Sequence, residues 1–168
     1  MPWFFWLFPI AFAIHNVEEA IWLPAWSKSA GRFHKPVGAF EFIFALIVLT
    51  MLSLVFTAAF YLGGCRSAGA YLFFAFNLGM LVNVLFPHLA ATIALKRYCP
   101  GLLTGVVVLS PTTVSVLLSG YARGCFSAPT LCLVTIPVAG VVVGSIPLLF
   151  RIGRFLQAVL RGKGRVTA

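Results

Sequence analysis

The chain carries only three carboxylates. Two of them, Glu18 and Glu19, stand side by side in an apolar run, Phe12-Ala13-Ile14-His15-Asn16-Val17-Glu18-Glu19-Ala20-Ile21-Trp22. On a helix His15 and Glu19 lie one turn apart on one face, and Glu18 sits at its edge. A carboxylate near the centre of a membrane-spanning helix costs about 2.5–3.5 kcal/mol on insertion scales. Acid placed where acid is expensive marks a functional site. Glu41, His88 and Asn83 are the further polar residues whose positions bear on the same site.

The ligand set His15, Glu19, Glu41 and His88 suits a divalent metal ion: zinc, iron or manganese. Carboxylates and imidazoles projecting from facing helices are how helix bundles build such centres. A bound cation would neutralise the acid and reduce its burial cost. Glu18, left off the metal, would act as general base. Structural alternatives exist for each residue taken singly. His15 and Glu19 could pair to hold helices together, and Glu18 could snorkel or pair with Lys28, Arg32 or Lys96. Glu41 could pair with Lys35, and His88 could bond a carbonyl freed by Pro87. Their common depth favours a cluster.

Composition says what must position these residues. Hydrophobic residues make up 61% of the 168, charged residues 9%, and the formal net charge is +9. The mean hydropathy is +1.05. A soluble domain is about 45–50% apolar and about a quarter charged, so the expected class is an all-α membrane bundle. Five apolar segments are long enough to span: 3–23, 37–62, 70–95, 102–121 and 130–150. They form one transmembrane domain, 1–150, followed by a basic amphipathic tail, 151–168, attracted to anionic lipid. The cations are dispersed in short gaps, which speaks against nucleic acid. The first segment lacks a basic leader and carries His15, Glu18 and Glu19, so it is expected to be retained rather than cleaved as a signal peptide.

The basic residues set the orientation. Lys28, Arg32, Lys35, Lys96, Arg97, Arg151, Arg154, Arg161, Lys163 and Arg165 share one side if there are five spans, leaving Arg66 and Arg123 on the other. That split places the N-terminus outside and the C-terminus in the cytoplasm, in a bacterial inner membrane. Measured from the cytoplasmic ends, Glu19 then lies about 6–8 Å deep, His15 about 12–14 Å, Glu41 about 6 Å and His88 about 10 Å. Three helices thus contribute to one layer. Cys65 and Cys125 fall in the two outer gaps, where a disulfide is permitted; all four cysteines being free is the alternative. Thr112, Ser115 and Ser119 recur at helical spacing and read as a close-packing face.

The segment His15-Asn16-Val17-Glu18-Glu19 resembles the defining motif of the HXXEE-domain family of small integral membrane proteins. A second family element, an Asn followed by a His, is matched by Asn83 and His88. The stretch Arg97-Tyr98-Cys99-Pro100-Gly101, with Thr104 and Pro111 beyond it, extends the likeness. The resemblance implies a five-span bundle with enzymatic activity and adds Asn83 to Glu18 as a candidate catalytic residue. Four residues separate Asn83 from His88 where the family has three, and position 93 is Ile where the family has Tyr or Arg. Asn83 and His88 would sit about 140° apart on a regular helix, converging only if Pro87 loosens the turn. The expected function is a metal-dependent membrane enzyme, hydrolysis being the first guess, acting on a lipid-soluble or amphipathic substrate among membrane lipids. A small proton- or cation-coupled transporter or binding protein is the alternative.

Overall fold

The structure, a computed structural model, describes residues 2–31 and 35–163. Arg32 and Arg165, counted in the charge split, and the tail beyond residue 163 lie outside the described residues. Among the described residues the fold is all-α, with no strand. A 3-10 turn, Trp3–Trp6, leads into α1 (Leu7–Ser27). Then come α2 (Ala39–Gly63) and α3 (Ala68–Asn83), and α3 continues through a π-helical segment, Val84–Leu89, into α4 (Ala90–Leu95). The short α5 (Leu102–Thr104) passes through a second π segment, Gly105–Leu109, into α6 (Ser110–Ala122). The last helix, α7 (Ala128–Lys163), runs from the fifth apolar segment into the basic stretch as one piece.

These elements give five helices long and apolar enough to cross a membrane: Trp3–Ser27, Ala39–Gly63, Ala68–Leu95, Leu102–Ala122 and Ala128–Gly162. The chain is a multi-pass membrane protein. Its outward faces carry Ile14, Val17, Ile47, Met51, Val55 and Leu118, the surface a bilayer covers.

The two ends of the bundle are built differently. One end is aromatic: Phe5, Phe8, Phe60, Phe73, Phe74 and Phe76 are fully buried. Their rings meet mostly edge to face, as Phe5–Phe60 does at 4.9 Å and 89°. Such pairs contribute about 0.5–1.5 kcal/mol each. That matters in lipid, where apolar burial alone does little to drive helices together. At this end a disulfide joins Cys65 to Cys125 across the two gaps. The close-packing face of the fourth span differs from the expected one. The Thr112 and Ser115 hydroxyls turn back onto Val108 and Pro111 carbonyls of their own helix, as serines and threonines in helices do. Thr113, Val116 and Gly120 are the buried face instead. A Cβ at Gly120 would run into the Phe74 ring, so only glycine lets the two helices meet.

Candidate metal centre

The opposite half of the bundle holds the polar residues. The i, i+4 spacing on α1 brings the His15 and Glu19 side chains to one face, where His15 Nε2 lies 3.8 Å from Glu19 Oε1. Asn16 steadies this helix by donating to Thr50 Oγ1 on α2 at 2.8 Å. His88 reaches the same point from the third span, with Nε2 at 3.0 Å from Glu19 Oε1. The two imidazole rings meet edge to face at 5.2 Å. His15, Glu19 and His88 are all buried, and one ligand atom from each lies within 4.8 Å of the other two.

The third span is interrupted where the site needs it. Phe86 leaves helical geometry, with φ −141° and ψ 114°. That break brings Asn83 Nδ2 to 3.2 Å from His88 Nε2, although five residues separate them. Pro87 thus loosens the turn, the condition under which these two residues converge. The second π segment follows directly after Thr104, so widened helix turns flank the site in both chain segments. Such turns occur often at functional sites.

Glu41 stands apart, and the expectation that it joins His15, Glu19 and His88 is corrected. Its Oε1 accepts from Gly38 N at 2.9 Å, capping the start of α2, and lies 4.0 Å from Arg154 Nη1 on α7. A residue in the first turn of a helix has bare amides beside it, and an acid there serves them first.

Glu18 faces away from Glu19, toward the loop between α4 and α5. Its carboxylate accepts from Gly101 N at 2.7 Å, Thr104 N at 2.8 Å, the Thr104 hydroxyl and the Tyr98 hydroxyl. Gly101 and Thr104 open the fourth span. The amides of a helix start lack partners within the helix, and in a bilayer no water can serve them. A carboxylate from α1 does so here. Four donors occupy the carboxylate's acceptor positions, which leaves Glu18 badly placed to accept a proton from a substrate. The geometry gives it a structural task in place of the expected general-base role.

The same loop closes one side of the imidazole pair. Gly101 has φ +94°, and a Cβ there would stand 2.6 Å from His88 Cε1 and 3.0 Å from His15 Cε1. Thr104 Oγ1 lies 3.3 Å from His15 Nδ1, and Cys99 Sγ 3.7 Å from His88 Nδ1. Arg97 ties the loop to the end of α1 through Ser29 Oγ at 2.9 Å and stacks over Trp26 at 5.1 Å. Spacing alone gave Thr104, Gly101 and Cys99 no role; only the family likeness pointed to this stretch.

On the other side the trio borders a cavity of about 180 Å³. His15, Glu19, Asn83 and His88 form its polar end, and side chains such as Leu46, Met80 and Ile146 form its apolar remainder. A larger groove, about 660 Å³, lies on the Glu18 side between α1 and the loop. Its polar members Glu18, Tyr98 and Thr104 are already bonded to one another.

Comparison with known proteins agrees with the motif. Residues 6–116 match the family described as "Protein of unknown function with HXXEE motif". The chain is 38% identical over 153 residues to the "Uncharacterized protein YrkK" of Bacillus subtilis (strain 168), an alignment covering 91% of this chain and 97% of that one. No solved structure matches. The match spans most of the chain and includes every residue of the buried trio, so this protein belongs to the HXXEE family.

Proposed function

We propose that the protein is a metal-dependent membrane enzyme whose centre is His15, Glu19 and His88. One observation carries the reading: His15 Nε2 is buried, has no hydrogen-bond partner, and lies 3.8 Å from Glu19 Oε1 in a trio that can converge on one ion. An orphaned buried nitrogen is costly unless something binds it. Ligand atoms held at about 2.0–2.1 Å around a tetrahedral zinc stand roughly 3.3 Å apart. The observed separations of 3.0 and 3.8 Å bracket that value. Two histidines and one carboxylate leave positions open, the pattern of catalytic zinc and non-haem iron sites.

A cation held there would supply Lewis acidity toward a substrate oxygen or a water. The chain's own residues do the rest. Asn83 presents an amide at the polar end of the cavity, beside the trio. The apolar walls exclude water and accept a hydrocarbon chain. The substrate is therefore a lipid-soluble or amphipathic molecule with its polar group at the trio, and hydrolysis is the reaction that this set of groups suits first. With the basic side of the bundle inward, the site opens in the cytoplasmic half of a bacterial inner membrane and the disulfide faces the oxidising side.

Metal analysis of the purified protein tests the reading. About one zinc, iron or manganese per chain is expected, lost in His15→Ala and His88→Ala and retained in Glu41→Gln. Equal occupancy in wild type and both histidine variants would contradict it.

A further inference from the structure

We infer that Glu18 acts through Thr104 to set which nitrogen of His15 carries the proton, leaving Nε2 bare for the metal. Ionised Glu18 can only accept. The Tyr98 oxygen accepts from Leu103 N at 3.1 Å, so its own hydrogen goes to Glu18. The Thr104 hydroxyl has one hydrogen, and the carboxylate, at 2.5 Å, takes it. The Thr104 oxygen then has only lone pairs left, and His15 Nδ1 lies 3.3 Å from them. That contact is favourable only if Nδ1 carries the hydrogen. In a neutral imidazole the other nitrogen is then unprotonated, and that nitrogen is the buried, partnerless Nε2.

This arrangement explains why the motif has two adjacent glutamates. Position i+4 from the histidine shares its face and contributes a ligand. Position i+3 is turned toward the neighbouring helix start and commits the threonine hydrogen. Glu18 and Thr104 are thus positioning residues, acting on the centre through the His15 ring. Partners of this kind on a ligand's far nitrogen change metal affinity by about 10–100-fold. The purpose assigned to the tautomer rests on the metal reading, but the tautomer itself is measurable without metal.

The test uses the full chain in detergent micelles, labelled with 15N-histidine, chelated and recorded at alkaline pH. The chain has three histidines, and single substitution of His34 and His88 assigns the His15 signals. Wild type should show the Nδ1–H form. Thr104→Val, which keeps the shape and removes the hydroxyl, should lose that preference, and Thr104→Ser should keep it. Zinc affinity by chelator competition should fall about 10–100-fold in the valine variant and recover in the serine variant. An Nε2–H form in wild type overturns the inference, as does an unchanged Nδ1–H form in Thr104→Val. If the valine variant does not fold, the wild-type and serine spectra still decide. The inferred tautomer in a wild type that binds no zinc would sink the metal reading and leave the hydrogen-bond inference standing.

Discussion

Replacing Gly101 by alanine is the most informative single perturbation. The new Cβ would sit 2.6 Å from His88 Cε1, 2.9 Å from His88 Nδ1 and 3.0 Å from His15 Cε1, where ordinary contact begins at 3.4 Å. The ring or the loop must therefore yield by about 0.8 Å. The backbone adds its own cost, since φ +94° is a conformation that side chains rarely adopt, worth about 1–3 kcal/mol. The loop is pinned by four bonds to Glu18, so the imidazoles should move more than the loop does. A shift of about 1 Å in a catalytic constellation can cost 100-fold. Metal affinity should fall at least about 10-fold, equivalent to about 1.4 kcal/mol. Gly124 provides the control: its φ is +67°, yet nothing lies within 4 Å of its Cβ position. Gly124→Ala should lower the melting temperature through the backbone term alone and leave metal affinity unchanged. Chelator competition and thermal unfolding on both variants separate the two effects. If Gly101→Ala binds metal as wild type does, the loop does not position the rings.

Four further outcomes are expected. Alkylating the denatured, unreduced protein should label Cys99 and Cys132 and spare Cys65 and Cys125; four labelled thiols would contradict the bridge. Burial, with the Glu18 hydrogen bond second, pushes the Tyr98 phenol up to about 12 from its ordinary 10.0. The folded state then holds this proton more tightly than the unfolded one, so the contribution is present below pH 10 and lost as pH rises toward 12. Tyr98→Phe should flatten that alkaline loss in a stability–pH series, and an unchanged slope would argue against the contact. Glu18→Gln should loosen the loop, seen as faster exchange of the Gly101 and Thr104 amides, without releasing the chain from the membrane; unchanged exchange would refute the capping role. Reporter fusions after Arg66 and Arg123 should read outside, and those after Lys96 and in the tail inside; an outside reading from the tail would end the topology.

Much of the fold was legible because a bilayer leaves few options. Length, hydropathy and the placing of Gly and Pro between apolar runs gave five spans, and the first four end within a few residues of the helices found. The His15–Glu19 pairing followed from helical spacing, whereas the convergence of Asn83 with His88 was conditional on Pro87 loosening the turn. Depth along a helix gave the height of Glu41 but not its direction. Its carboxylate turned to the bare amide at Gly38, a local contact that a depth count cannot see. Glu18 was hidden for a different reason: its partners lie 80 or more residues away, and two of them are backbone amides, which have no residue type to read. Thr112 and Ser115 have the spacing of a packing face, but hydroxyls in helices often satisfy themselves on their own backbone.

X-ray absorption at the metal edge of the zinc-loaded protein tests the centre most directly. A first shell of two imidazole nitrogens and carboxylate or water oxygens at about 2.0–2.2 Å is expected, with one imidazole lost in His15→Ala. Sulfur scattering at about 2.3 Å, which would bring in Cys99, or a shell without imidazole, would contradict a centre built from His15, Glu19 and His88.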